Sequence, residues 1–122
     1  MYHRFGENKY PSTNIREEQL VSHLEYLKDQ GFNFILARDL LFEDKLQKKT
    51  ISITVDDAYL SFFEVGLPIF EKYEIPVTLF LNTENVSGQN YMNWTQLKSV
   101  LSRGVDILSL IHISEPTRLD GI

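Results

Sequence analysis

A chain of 122 residues holds one domain or a piece of a larger one, and 43% apolar with 24% charged residues is the make-up of a globular protein able to build a core. The formal charge of -5 speaks against a phosphate backbone as partner, so no nucleic acid is expected, and the one basic group, Lys45, Lys48 and Lys49, reads as a solvated turn. Without cysteine there is no disulfide or thiolate chemistry, and no apolar run reaches the ~20 residues that a membrane helix needs. In chain order, Asn14 is placed to cap a helix, with Glu17 three residues on as its reciprocal partner. Leu20, Leu24 and Leu27 recur at helical spacing, Val21 and Leu40 add apolar positions beyond them, and Gly31 supplies the stop. Residues 32–36 read as a short buried strand, and a second helix is expected from about Arg38 to Leu46.

Residues 50–55, TISITV, are rich in β-branched side chains and run into Asp56 and Asp57, the pattern of an interior strand. From Leu60 to Tyr73 the pattern is helical but interrupted by Gly66 and Pro68, which predicts a kink or two short helices with Pro68 in the first turn of the second. Residues 75–81, IPVTLFL, form another strand, followed by a polar loop over 82–89. A helix over 94–102 stops at Gly104, and residues 105–107 open a further strand. Strands alternating with helices pair in parallel through right-handed crossovers, so the expected class is α/β. In such folds reactive groups gather at the carboxyl ends of strands, where Asp56 and Asp57 stand.

Successive side chains of an extended strand point to opposite faces, so both aspartates can serve one cleft only if the chain turns there. One carboxylate can then ligate a cation while the other takes a proton from water. Taken alone the pair also fits a bland arrangement, with one aspartate capping the next helix and the other solvated. His23 shares a helix face with Leu20 and Leu27 and reads as a histidine at the edge of the core. Tyr91 and Trp94 can line a sugar cleft or simply anchor a loop and helix.

The segment ISITVDDAYLSFFEVGLPIFEKYEIPVTLFLNTENV resembles the first motif of the polysaccharide deacetylases, the NodB-homology family of carbohydrate esterases. MYHRFGE, YPSTNI, YMNW at 91–94 and GVDI at 104–107 are similar to one bacterial branch of that family, so the resemblance spans residues 1–107. It implies a partial (β/α) barrel of the irregular deacetylase type, cut about halfway. It also implies a hydrolase that removes acetyl groups from N-acetylated sugars of a polysaccharide or oligosaccharide. By this resemblance Asp56 is the general base and Asp57 a ligand of a divalent metal, usually zinc or a similar ion. Water attacks the acetyl carbonyl, the metal and a backbone N–H stabilise the oxyanion, and acetate and a free amino sugar leave. His3, in the YHRF pattern of that branch, is implied to contact the substrate or support the site, as are Tyr91 and Trp94.

The family's remaining ligands are two histidines that should follow GVDI almost at once. Here LSLIHISEPTRLDGI follows, with His112 as its one histidine, so the metal site is expected to be incomplete and this chain inactive. Leu108 to Arg118 matches one reading frame of a transposase adapter used in DNA libraries, which makes residues 108–122 an expected non-native tail. MYHRFGENKYP lacks the apolar centre of a signal peptide; by its substrate class the full-length protein is expected in the cell envelope or outside the cell. Two other classes compete. A phosphoacceptor receiver domain also places an acidic pair at a strand end to hold Mg²⁺, but it needs an aspartate that closes a later strand, and Asp106 opens its strand. A non-catalytic carbohydrate-binding fragment is the other, since half a barrel leaves open strand edges and an uncovered face.

Overall fold

The computed structural model describes residues 1–7, 12–42 and 49–109. The elements in order are β1 (Arg4–Phe5), β2 (Asn14–Ile15), α1 (Glu17–Asp29), β3 (Asn33–Ile35), α2 (Ala37–Phe42), β4 (Thr50–Asp56), a π-helical segment (Phe62–Gly66), α3 (Leu67–Lys72), β5 (Val77–Leu81), a 3-10 turn (Thr83–Asn85), α4 (Trp94–Ser102) and β6 (Asp106–Ser109). The main sheet has the order β3-β4-β5-β6 and every pair in it is parallel. This sequential order has none of the reversal that marks a doubly wound sheet, and it is the order of strands winding around a barrel. The expected half-barrel with alternating helices is what forms.

Register sorts the side chains into two faces. Ile53 pairs with Val77 and Val55 with Leu79, which pairs in turn with Ile107. These side chains are buried in one core with Leu20 and Leu24 of α1, Leu67 and Phe70 of α3, and Leu97 and Val100 of α4. Their neighbours Thr54, Asp56, Thr78, Phe80, Asp106 and Leu108 alternate onto the opposite, inner face. That inner face carries the polar groups, so the core packs on one side of the sheet and the chemistry can sit on the other.

Local sequence accounts for most element limits. Asn93 and Gln96 exchange bonds at the start of α4, Gln96 N–H to Asn93 Oδ1 at 2.8 Å and Asn93 N–H to Gln96 Oε1 at 2.9 Å. The stretch before Pro68 is wound as a π-helix, with Leu67 N–H donating to Phe62 O five residues back. Pro68 has no N–H and its ring crowds the carbonyl four residues earlier, so the ladder widens there and α3 starts with proline in its first turn.

Two expectations are corrected. Asn14 does not cap α1; it lies in β2, and its carboxamide is occupied by the main chain of Glu7, accepting at 2.9 Å and donating at 2.8 Å. The start of α1 is instead at Arg16, whose N–H donates to Gln19 Oε1 at 3.0 Å. Leu40 is exposed and adds nothing to the core. The second helix begins at Ala37 and is described to Phe42; its expected continuation to Leu46, with Lys45 and Lys48, lies outside the described residues. Lys49 is described, and its Nζ donates to Gln30 O at the end of α1 at 2.7 Å.

Candidate active site

The first residues of the chain bind alongside β4. Where β5 occupies one edge of β4 over Ile53 to Asp56, Tyr2 bridges Val55 on the other. Tyr2 N–H donates to Thr54 O at 2.8 Å, and Asp56 N–H to Tyr2 O at 2.9 Å. The segment is anchored further on by Phe5, whose ring packs on Phe62 and Phe70 with centroids 5.8 Å and 5.9 Å away and whose N–H donates to Ser61 Oγ at 3.0 Å. Pairing at Tyr2 brings His3 beside the acidic pair, with Nε2 at 3.6 Å from Asp56 Oδ2. The Asp56 side chain is 20% exposed, and that partial burial raises its pKa above the ordinary 3.8; His3 pulls it down and the Asp57 charge adds to the rise.

The turn that the sequence required is present. Asp57 has φ of 75° and Ala58 φ of 54°, both in the left-handed region. Aspartate tolerates that conformation, whereas for alanine it costs roughly 1 kcal/mol. The turn is held by main-chain bonds from three directions: Asp57 N–H to Phe80 O at 3.0 Å, Met92 N–H to Ala58 O at 3.0 Å, and Leu60 N–H to Asn90 O at 2.7 Å. Strain retained in a surrounding structure that over-determines it is characteristic of working sites. Among the described residues neither carboxylate accepts a helix N–H, and Ser61, which precedes the π-helical segment, makes no side-chain cap. The bland capping arrangement is therefore not the one that forms.

Of the other candidates, Tyr91 packs on Tyr59, two residues past Asp57, and Trp94 does not take part in the same contacts. Tyr91 stacks on Tyr59 with centroids 4.8 Å apart, and the two form an isolated antiparallel bridge. Trp94 opens α4 and is 42% exposed. His23 is exposed on α1, with Nδ1 at 3.2 Å from the Tyr2 hydroxyl.

Two groups escaped the reading of the sequence. Arg4 donates from Nη2 to the Tyr59 hydroxyl at 2.9 Å and stands 4.0 Å from the centre of that ring. Burial and the bond to Tyr91 push the Tyr59 hydroxyl up to about 12. Arg38 and the buried Asp106 form a bidentate ion pair on the inner face, Nε to Oδ2 and Nη2 to Oδ1 at 2.7 Å each. Asp106 shares a row with Thr78, one layer beneath the row of Asp56 and Phe80. No local pattern signals a pair 68 residues apart.

The profile of the polysaccharide deacetylase family matches residues 43–109, from before β4 through β6. The chain belongs to the polysaccharide deacetylase family. YxkH of Bacillus subtilis (strain 168), whose name places it among the polysaccharide deacetylases, is 24% identical over 126 residues, covering 100% of this chain and 44% of the relative. Poly-beta-1,6-N-acetyl-D-glucosamine N-deacetylase of Staphylococcus aureus is 29% identical over 83 residues, 66% of this chain and 29% of the relative. Among solved structures, IcaB from Ammonifex degensii is similar at a TM-score of 0.74 with 24% identity, over 88% of this chain and 49% of that one. The Streptococcus pyogenes deacetylase PplD, in complex with acetate, is similar at 0.74 with 22% identity, over 89% and 53%. These likenesses show the fold. The chain spans less than half the length of the curated relatives named here and about half of the solved ones.

With the deacetylase family and the sequential strand order on record, the receiver alternative falls. The family is generally metal-dependent. Among the described residues no group of three or more His, Cys, Asp or Glu side chains is arranged to hold a metal ion. His112 lies outside the described residues.

Proposed function

We propose that this chain is the amino-terminal half of a metal-dependent hydrolase that removes acetyl groups from N-acetylated sugars of a polysaccharide, and that it is inactive by itself. One observation carries the reading: Asp56 closes β4 with His3 at 3.6 Å from its carboxylate, and Asp57 follows it directly on a left-handed turn. Asp56 is the general base. Its raised pKa makes it a better proton acceptor than an ordinary carboxylate. His3 orients that carboxylate and stabilises its ionised form.

Asp57 is the residue that would hold a divalent cation, zinc or a similar ion. When bound, such an ion polarises an acyl oxygen and acidifies water. Among the described residues its coordination is not completed, which is why activity is assigned to the chain joined to its natural continuation. Residues 110–122, beyond the family match, are read as a tail foreign to the domain, whereas Leu108 and Ser109, expected to open that tail, pair with β5. Tyr91 and Trp94 stand on the loop and helix that follow β5, where a sugar chain would pass. The name of the Staphylococcus aureus relative supports an N-acetylglucosamine polymer as substrate class.

The test is acetate release from N-acetylglucosamine oligomers, with and without added zinc. The 122-residue chain should release none above background, and a chain continued past residue 107 with the natural sequence should release it in a metal-dependent way. Release by the short chain, or its absence from the continued one, contradicts the proposal.

A further inference from the structure

Tyr59 follows the acidic pair and has no part in the chemistry above, yet two distant segments converge on it. From β1, Arg4 binds its hydroxyl at 2.9 Å and places a guanidinium 4.0 Å from its ring centre. From the loop before α4, Tyr91 stacks on the ring at 4.8 Å with the planes 24° apart. Its neighbours in the chain are pinned as well, Ala58 O by Met92 N–H and Leu60 N–H by Asn90 O. Neither Tyr59 nor Tyr91 belongs to the buried core cluster, so packing of the interior does not explain the arrangement. What lies directly upstream is the left-handed step at Asp57 and Ala58.

We propose that Tyr59, gripped by Arg4 and Tyr91, is a positioning residue that holds this turn and thereby aims the Asp57 carboxylate toward the side of Asp56. A left-handed alanine relaxes toward ordinary backbone unless its surroundings prevent it. A ring fixed by a cation, a second ring and two flanking main-chain bonds supplies that restraint one residue downstream. The proposal rests on the reading of Asp57 as a metal ligand, but its first readout does not.

The experiment uses the isotope-labelled 122-residue chain and two NMR readouts. Backbone couplings and carbon shifts report positive φ at residues 57 and 58, and paramagnetic broadening by Mn²⁺ alone reports a cation near Asp57. Tyr59→Leu should abolish the positive-φ signature and weaken Mn²⁺ broadening about tenfold, with amide exchange in β4 and β5 unchanged. Tyr59→Phe, which keeps the ring and its stack, should retain the signature. If Tyr59→Leu does not fold, Tyr91→Leu decides the matter by the same readouts. A folded Tyr59→Leu or Tyr91→Leu variant with the wild-type signature overturns the proposal. Wild-type chain that shows no Mn²⁺ broadening at Asp57 sinks the metal-ligand reading, while the φ comparison still decides the role of Tyr59.

Discussion

Asp56 carries a testable imbalance. Burial raises its pKa above 3.8, Asp57 raises it further, and His3 opposes both. A carboxyl whose folded pKa exceeds its unfolded value keeps its proton in the native state where the unfolded chain has lost it. Stability from this group is therefore present below 3.8 and falls as pH rises through the window up to the folded pKa. Carbon-detected NMR titration of the metal-free chain should place the Asp56 midpoint above the ordinary carboxylate range. His3→Gln should move it higher and Asp57→Asn should bring it down; a midpoint at or below 3.8, or shifts of opposite sense, contradicts the geometry. The Arg38–Asp106 pair makes a second case. The Asp106 side chain is 3% exposed and that of Arg38 31%. Arg38→Met removes the bidentate charge partner of a buried carboxylate and should cost about 3 kcal/mol in urea unfolding, while adding Asp106→Leu should recover most of that loss. Equal losses in the single and double variants would show that the ion pair is not what matters.

Among the elements, the amino-terminal segment approaches the π-helical stretch closely. A Cβ added at Gly66 would lie 2.9 Å from Phe5 Cγ. Gly66→Ala should therefore destabilise by about 1–3 kcal/mol, read as a lower thermal midpoint, and a truncation of Phe5 in the same chain should relieve part of the clash. Glu74, exposed just past α3, has φ of 56°. Glu74→Gly should stabilise by about 0.5 kcal/mol, because glycine takes that conformation freely. Elements whose limits are written locally were legible in the sequence: residues 94–102 form α4, with Asn93 before it and Gly104 after it. Asn14 shows the opposite case. Its composition suits a cap, but the pairing of β2 with β1 claims it first, and nothing within a few residues announces that pairing.

At the scale of the molecule, the alternation of strands and helices was enough to anticipate a parallel sheet, with the acidic pair at the end of β4. What local reading lacked were the contacts that make the site work: Tyr2 against Val55, Arg4 on Tyr59 and Arg38 on Asp106 each join segments more than 50 residues apart. The inner face they furnish is half of a barrel, and the proposed chemistry divides its labour between Asp56 and Asp57. The most direct test substitutes each in the chain continued with its natural sequence and measures acetate release and bound zinc together. Asp56→Asn should lower kcat by roughly 10²–10⁴ with zinc retained, and Asp57→Asn should lose both zinc and activity. Zinc lost with Asp56→Asn and kept with Asp57→Asn, or near-normal release from either variant, would contradict it.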